Sequence, residues 1–260
     1  MRNLLLSMCV SILIVVAGLI SARAQTPSDQ PRNEIEVRGN VGLPSGEANF
    51  SGTGDVGSNI DFSRDFDFKN KLGFDVRFLH KSANDKHKIL VQYSRDNWDK
   101  DATLTRSFTF LGQTYVANAQ LSLDITVRTF RAMYAYRWGN EKIRIGPMFD
   151  LGIVSTRAEV TGTTNNGSRT ADGSITKFAA TVGYDLDYNP NSKVNIFNNL
   201  GGIVFQGEHL FHTDGGVKYF VSHHFGVMGG YRFQWYKVTK NDNFIRVATH
   251  GPFFGGVYRF

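Results

Sequence analysis

Apolar and polar residues alternate along most of this chain. The clearest stretch is KIRIGPMFDLGIV, Lys142 to Val154, where Ile143, Ile145, Pro147, Phe149, Leu151 and Ile153 occupy one phase and Lys142, Arg144, Gly146 and Asp150 occupy the other. A period of two over this length predicts a strand with two unlike faces, and Pro147 predicts an edge or bulge within it. The same reading sets Ile35, Val37, Val41 and Leu43 against Glu34, Glu36, Arg38 and Asn40. It also groups Ile60, Phe62, Phe66, Phe68, Leu72, Phe74, Val76 and Phe78 on one face of a single long strand. Phe178, Val182, Tyr184, Leu186 and Tyr188 oppose Lys177, Asp185 and Asp187, and Phe225, Val227, Tyr231, Phe233 and Trp235 oppose Arg232 and Gln234. In TVRTFRAMYAYRW the apolar phase changes near Arg128, which predicts a bulge there.

Breaks between these segments are of two kinds. Short polar turns are predicted at Ser82–Lys86, Gly139–Lys142, Asn189–Ser192 and Ser222–His224, and long loops at Pro44 to Asn59, LGQT, Gly162–Gly173, QGEHLFHTD and Lys240–Asn243. Short and long connections alternate, as in a meander whose two ends differ. Ten strands follow, at about 33–43, 60–81, 87–110, 114–138, 142–159, 174–188, 193–205, 210–221, 225–239 and 248–260, with eight and twelve as the neighbouring even counts. Strands two to four exceed the roughly 9–11 residues that cross a bilayer, so they are expected to stand above its surface.

The start of the chain changes the picture. Arg2, an apolar run from Leu4 to Ile20, and small residues at Ala22 and Ala24 have the layout of a secretory leader. The expected organisation is a cleaved leader at 1–24, a short lead at 25–32 and one β domain at 33–260. Cys9, the single cysteine, falls in the leader, so the exported chain is expected to hold no disulfide, thiolate metal site or cysteine nucleophile. Two of the 29 basic residues also fall there, leaving +4 against 23 acids, and these charges are interspersed rather than clustered as nucleic acid requires.

A soluble sandwich also alternates, with compact aliphatics inward and a solvated polar face. Here the polar phase mixes opposite charges with glycine: Arg38, Asp75, Arg77, Arg144, Asp150, Asp185, Asp187, Lys218 and Arg232. That mixture suits a cramped barrel lumen. The apolar phase carries aromatics near strand ends, Tyr136, Trp138, Tyr184, Tyr188 and Trp235, as a membrane girdle does. The fold class predicted is an all-β, closed, antiparallel up-and-down transmembrane barrel. A lumen of this size is filled by side chains, which excludes a wide diffusion pore.

The chain ends on FFGGVYRF. Gly255, Tyr258 and the terminal Phe260 resemble the C-terminal assembly signal of bacterial outer-membrane β-barrel proteins, of the small OmpA-like or OmpW-like class. Phe253 departs from that pattern, where a polar residue is usual. The resemblance implies recognition by the outer-membrane assembly machinery and periplasmic chaperones, an environment of outer-membrane lipid, a monomer, and no cofactor. It leaves three roles open: surface structure or ligand binding, a narrow channel for small or hydrophobic solutes, and a rim hydrolase.

For hydrolysis the strongest cluster is GEHLFHTDGG, expected at an outer loop and the head of the eighth strand, where His212 and Asp214 share a phase and could form a His–Asp pair. Omptin-type proteases resemble this in using such a dyad with an acidic pair, for which Asp61, Asp65 or Asp67 are candidates here, although no omptin motif is present. His223 and His224 are adjacent in a turn, so their side chains diverge, and no shared metal is expected. The reading favoured by the sequence is a non-enzymatic barrel.

Overall fold

The alternating segments pair edge to edge in chain order. A computed structural model describes residues 31–51, 57–103, 105–205, 208–240 and 243–260; the predicted leader and most of the lead lie outside them. The strands are β1 (Asn33–Asn49), β2 (Ile60–Asp61), β3 (Lys71–Lys81), β4 (His87–Thr103), β5 (Phe108–Phe110), β6 (Gln113–Tyr115) and β7 (Gln120–Tyr136). They continue as β8 (Trp138–Gly139), β9 (Ile143–Thr164), β10 (Gly167–Asn191), β11 (Val194–Phe205), β12 (Glu208–Phe220), β13 (Phe225–Lys240) and β14 (Asn243–Arg259). Ten of them, β1, β3, β4, β7 and β9 to β14, form a ring of antiparallel neighbours, closed by β14 on β1. The predicted ten-stranded closed barrel is therefore the fold.

The closing seam runs in one register from Glu34 opposite Arg259 to Asn49 opposite Phe244. Asn33 and Phe260 extend it by a reciprocal backbone pair, N to O at 3.0 and 2.9 Å. Four tight turns, between β3 and β4, β7 and β9, β10 and β11, and β12 and β13, mark one end of the barrel.

Around that end, alternate residues face outward and are apolar: Val37, Val76, Ile145, Phe149, Val182, Val227 and Phe254 are all exposed. Tyr136, Trp138, Tyr188, Tyr258 and Phe260 rim the belt near the tight turns. Tyr184 lies opposite Pro147, inside the belt rather than at its edge, and Trp235 lies half-buried on the outer face against His209.

Higher on the same strands the polarity of the two faces exchanges. On β9 the outward residues read Ile143, Ile145, Phe149, Leu151, Ile153 and then Ser155, Arg157, Glu159, Thr161. The inward ones read Arg144, Asp150 and then Val154, Ala158, Val160. The change marks the level at which the wall leaves the apolar belt. It also corrects the bulge expected near Arg128, because β7 pairs with β4 and β9 in unbroken register through that residue. What changes at Arg128 is which face is apolar, not the backbone. Pro147 removes a rung from the β9 ladder toward β7 and β8, but Ala135–Met148 and Trp138–Ile145 keep the same register.

Above the belt the lumen holds an apolar core. Phe50, Phe62, Phe66, Phe68, Trp98, Phe108, Phe110 and Tyr115 pack there with Leu121, Leu123, Ile125, Val160 and Ile175. Residues 62–68 are therefore not part of a strand continuous with β3. Phe62, Phe66 and Phe68 turn inward from a bend, while Leu72 and Phe74 face out. Chain 87–110 likewise breaks, and β5 and β6 form a small hairpin over the core. Its Leu111–Gly112 turn has φ of +49° and +76° at both positions, as a two-residue primed turn requires. Three predicted loops are wholly or partly strand instead. Pro44–Asn49, expected to open a loop, continues β1 in register with β14. Gly162–Gly173 is the tip of a long β9–β10 hairpin, with Asn165 and Asn166 as its turn, and most of QGEHLFHTD belongs to β12.

Candidate functional site

At the level of the apolar belt the inward positions are charged, and the strands bring them together in three groups. Arg38 on β1 and Asp75 on β3 are direct cross-strand partners, joined by Nε to Oδ1 at 2.7 Å and Nη2 to Oδ2 at 2.9 Å. Arg232 reaches the same Asp75 and also donates Nε to Asp214 at 3.1 Å, while Arg77 donates Nη2 to Asp214 at 2.8 Å. Three arginines thus enclose two aspartates, with Asp96 held nearby by Asn40 at 2.6 Å.

Nearer the tight turns, Lys218 lies 2.5 Å from both Glu34 and Glu36. Beside it Lys88 contacts Asp185 at 2.8 Å and Asp187 at 3.2 Å, and Arg137 pairs with Asp187 and Asp85. Among the described residues, seven buried cations face eight buried acids. Buried charges require partners of this kind, so the network is a near-neutral filling for a wall too narrow to hold bulk water.

The third group is smaller. Arg131 donates Nε to Asp150 at 2.7 Å and Nη2 to Nε2 of His212, which lies 3.5 Å from Asp150. Beside them is a cavity of about 20 Å3, room for roughly one water. Val154, Ala179, Leu210 and Tyr236 supply its apolar wall. Arg131 Nη1, Asp150 Oδ1, Thr181 Oγ1 and His212 Nδ1 are buried there without hydrogen-bond partners.

Of the lumen charges read from the sequence, Arg38, Asp75, Arg77, Asp150, Asp185, Asp187, Lys218 and Arg232 are buried inside. Arg144 is only half-buried, at the tight-turn mouth, where it donates to the Gly139 carbonyl and lies 3.6 Å from Asp85. Glu34, Glu36, Lys88, Arg131 and Arg137 belong to the network as well. Arg131 was hidden by reading the change at Arg128 as a bulge; one uninterrupted phase places it inward with Val127 and Thr129.

His212 and Asp214 correct the expected rim site. Both are buried within the barrel on β12, and they serve different groups, His212 facing Arg131 and Asp150, Asp214 facing arginines. Asp65 lies in the bend over the apolar core, bound by Arg64 and Arg106. The side chains of His223 and His224 do not diverge as expected: their rings meet edge to face at 5.0 Å in the last tight turn, and His224 Nδ1 bonds to the Arg259 carbonyl.

At the C-terminus, Phe254, Tyr258 and Phe260 face outward. Phe253 is buried against Phe197 and Met228, with Arg38 stacked over its ring at 4.4 Å. Gly255 lies against β1, where a Cβ would sit 2.2 Å from the Val37 carbonyl oxygen.

No protein-family model matches the chain, and no curated protein sequence matches it. Solved structures do. The outer membrane protease OmpT from Escherichia coli superposes with a TM-score of 0.58 at 10% identity, covering 92% of this chain and 99% of that one. The translocator domain of the autotransporter NalP from Neisseria meningitidis gives 0.49 at 10% identity, covering 99% and 98%. Ail, the attachment invasion locus protein of Yersinia pestis, gives 0.39 at 13% identity, covering 89% and 99%. The chain has the fold of the bacterial outer-membrane β-barrels.

Proposed function

We propose that this is an integral outer-membrane barrel that does not conduct, and that its work is done by the strand-built tower standing above the membrane, as a surface-interaction module. The carrying observation is that the lumen is closed twice. A near-neutral ion-pair network fills it within the belt, and an aromatic core fills it above. The tower's outer face is polar by contrast. Ser155 and Thr176 are linked by their hydroxyls at 2.9 Å, Thr161 and Thr170 at 2.8 Å, and Arg157 lies between Glu159 and Asp172. Such a face suits a hydrated partner.

The fold shared with a protease supports a hydrolase reading only as far as architecture, because function resides in sites rather than folds. His212 and Asp214 do not form the pair that reading needs.

Purified protein in a planar bilayer is expected to be silent. Reproducible ohmic conductance would overturn the proposal. On intact cells, cysteine placed at Asn166 should react with a membrane-impermeant maleimide; protection of that site would reverse the assigned orientation.

A further inference from the structure

The level at which the wall changes polarity carries an unbalanced charge on one side of the barrel. On the outer face of β3, β4, β7, β9 and β10 one row reads Val76, Tyr93, Phe130, Ile153 and Phe178, each the direct cross-strand partner of the next. This is the last row there that is wholly aliphatic or aromatic. The row above it reads Phe74, Arg95, Arg128, Ser155 and Thr176. Arg95 and Arg128 therefore face each other across the β4–β7 ladder, both exposed on the outer face. Like charges directly opposite on a ladder destabilise it, so the pair calls for an anion.

The described residues do not supply one. Neither arginine has an ion-pair or side-chain hydrogen-bond partner among them. The acids two rows above are taken by other groups: Asp99 by Lys71 at 2.9 Å, Asp124 by Asn97 at 3.4 Å, and Glu159 and Asp172 by Arg157 at 3.0 and 3.3 Å. By contrast Arg246 on β14, also exposed, meets Glu47 at 3.0 Å. On β3 the exposed Phe74 and Leu72 carry the apolar surface up to and past the level of Arg95. The two free guanidinium groups thus stand at the edge of the lipid-facing surface.

We infer that Arg95 and Arg128 bind the phosphate of a membrane lipid whose head ends in a phosphomonoester, with its acyl chains on Tyr93, Phe130 and Ile153. Side chains directly opposite on an antiparallel ladder leave the backbone about 5 Å apart at Cβ, so two guanidinium groups can fork onto one phosphate. Their two positive charges balance a phosphomonoester that is close to a dianion at neutral pH. The aromatic row immediately below supplies the surface for the chains. The inference rests on the belt lying in lipid and is independent of whether the lumen conducts.

The test uses the folded protein in phosphatidylcholine vesicles doped with phosphatidic acid that carries a diazirine on one acyl chain. After illumination, labelling should concentrate on peptides containing Tyr93 and Phe130 and stay at background on the one containing Tyr231, across the ring on β13. Arg95→Gln and Arg128→Gln together should reduce it to that background, and Arg246→Gln should leave it unchanged. Unlabelled phosphatidic acid should compete, phosphatidylglycerol, a diester, far less, and glycerol 3-phosphate not at all. Phosphatidic acid should also raise the temperature at which the fast-migrating unboiled band disappears, in the unaltered chain but not in the double variant. Absence of a fast band in the unaltered chain would remove the membrane barrel itself rather than this site alone. Labelling spread evenly over the belt, or retained in the folded double variant, overturns the site, as does an equal loss in Arg246→Gln, which would reduce the effect to net charge. Equal competition by phosphatidylglycerol overturns the monoester head, and clearance by glycerol 3-phosphate overturns the lipid. Distribution and competition are read on the unaltered chain, so they decide even where the double variant does not fold.

Discussion

Arg38 and Asp75 face each other across the β1–β3 ladder and meet fork to fork, with neither side chain reaching solvent. Asp75 also takes Arg232 and stands 3.5 Å from Arg77, so one carboxylate serves three guanidinium groups. The group holds more cations than acids at close range. Losing the acid therefore strands several buried charges, whereas losing Arg38 leaves both aspartates still paired. Asp75→Leu should cost about 3–5 kcal/mol, the usual result of breaking a buried pair, and Arg38→Met clearly less. The temperature at which the fast-migrating unboiled band disappears measures both. An equal loss for the two variants would show that the group does not act as a cation-rich cluster.

On β9, Leu151 and Ser155 point outward four residues apart, on either side of the level where the wall changes polarity. Leu151→Arg should destabilise the barrel by about 2–4 kcal/mol if it lies deep in lipid, less if nearer the interface. Ser155→Arg, in water, should be close to neutral. Urea unfolding from bilayers distinguishes them, and comparable costs at the two positions would misplace the membrane boundary.

That boundary explains which parts of the fold were legible in the sequence. Strand count and closure follow from alternation, and alternation survives wherever one face meets lipid and the other a polar lumen. At Arg128 and again past Ile153 the solvent outside changes from lipid to water, and the interior becomes apolar in response. Period two continues but its sign reverses, which resembles a bulge when only one face is followed. Phe62, Phe66 and Phe68 are ambiguous in the sequence for a related reason. Aromatic residues two or four apart fit a lipid-facing strand and an inward bend equally well. Glycine and polar residues around His212 point to a barrel rim where loop meets strand, yet those residues are also what a crowded lumen uses. The end of the β10–β11 ladder at Val182 and Gly202 has no local sequence signal, since it depends on where pairing between two strands stops.

Gly255 and Gly256 are neighbours with opposite surroundings. A Cβ on Gly255 would meet the Val37 carbonyl oxygen at 2.2 Å, and one on Gly256 meets nothing within 4 Å. Gly255→Ala should force β14 away from β1 and destabilise by roughly 1–3 kcal/mol, as overpacking does. Gly256→Ala should assemble normally. The yield of heat-modifiable barrel in membranes reports both. If the two variants assemble alike, close approach at the seam is not the reason for glycine at 255.

The bend over the apolar core depends on Asp65. Its carboxylate accepts hydrogen bonds from Arg64 at 3.0 Å, from Arg106 at 2.9 Å and from the Asp61 amide at 3.0 Å. Partial burial favours the neutral acid, but these donors outweigh it and hold the pKa below its ordinary value near 3.8. A carboxyl with a lowered folded-state pKa stabilises the folded form fully above its unfolded pKa, and that contribution disappears as pH falls through the folded value. The bend carries Phe62 and Phe66 into the core, so its release should expose residues 61–68 without unfolding the belt. Hydrogen exchange, corrected for intrinsic rates, should show protection of this segment at pH 6 and progressive loss below about pH 4. Asp65→Asn should weaken protection already at pH 6 and remove most of the acid step. A step of unchanged size in that variant would assign the acid response to another group.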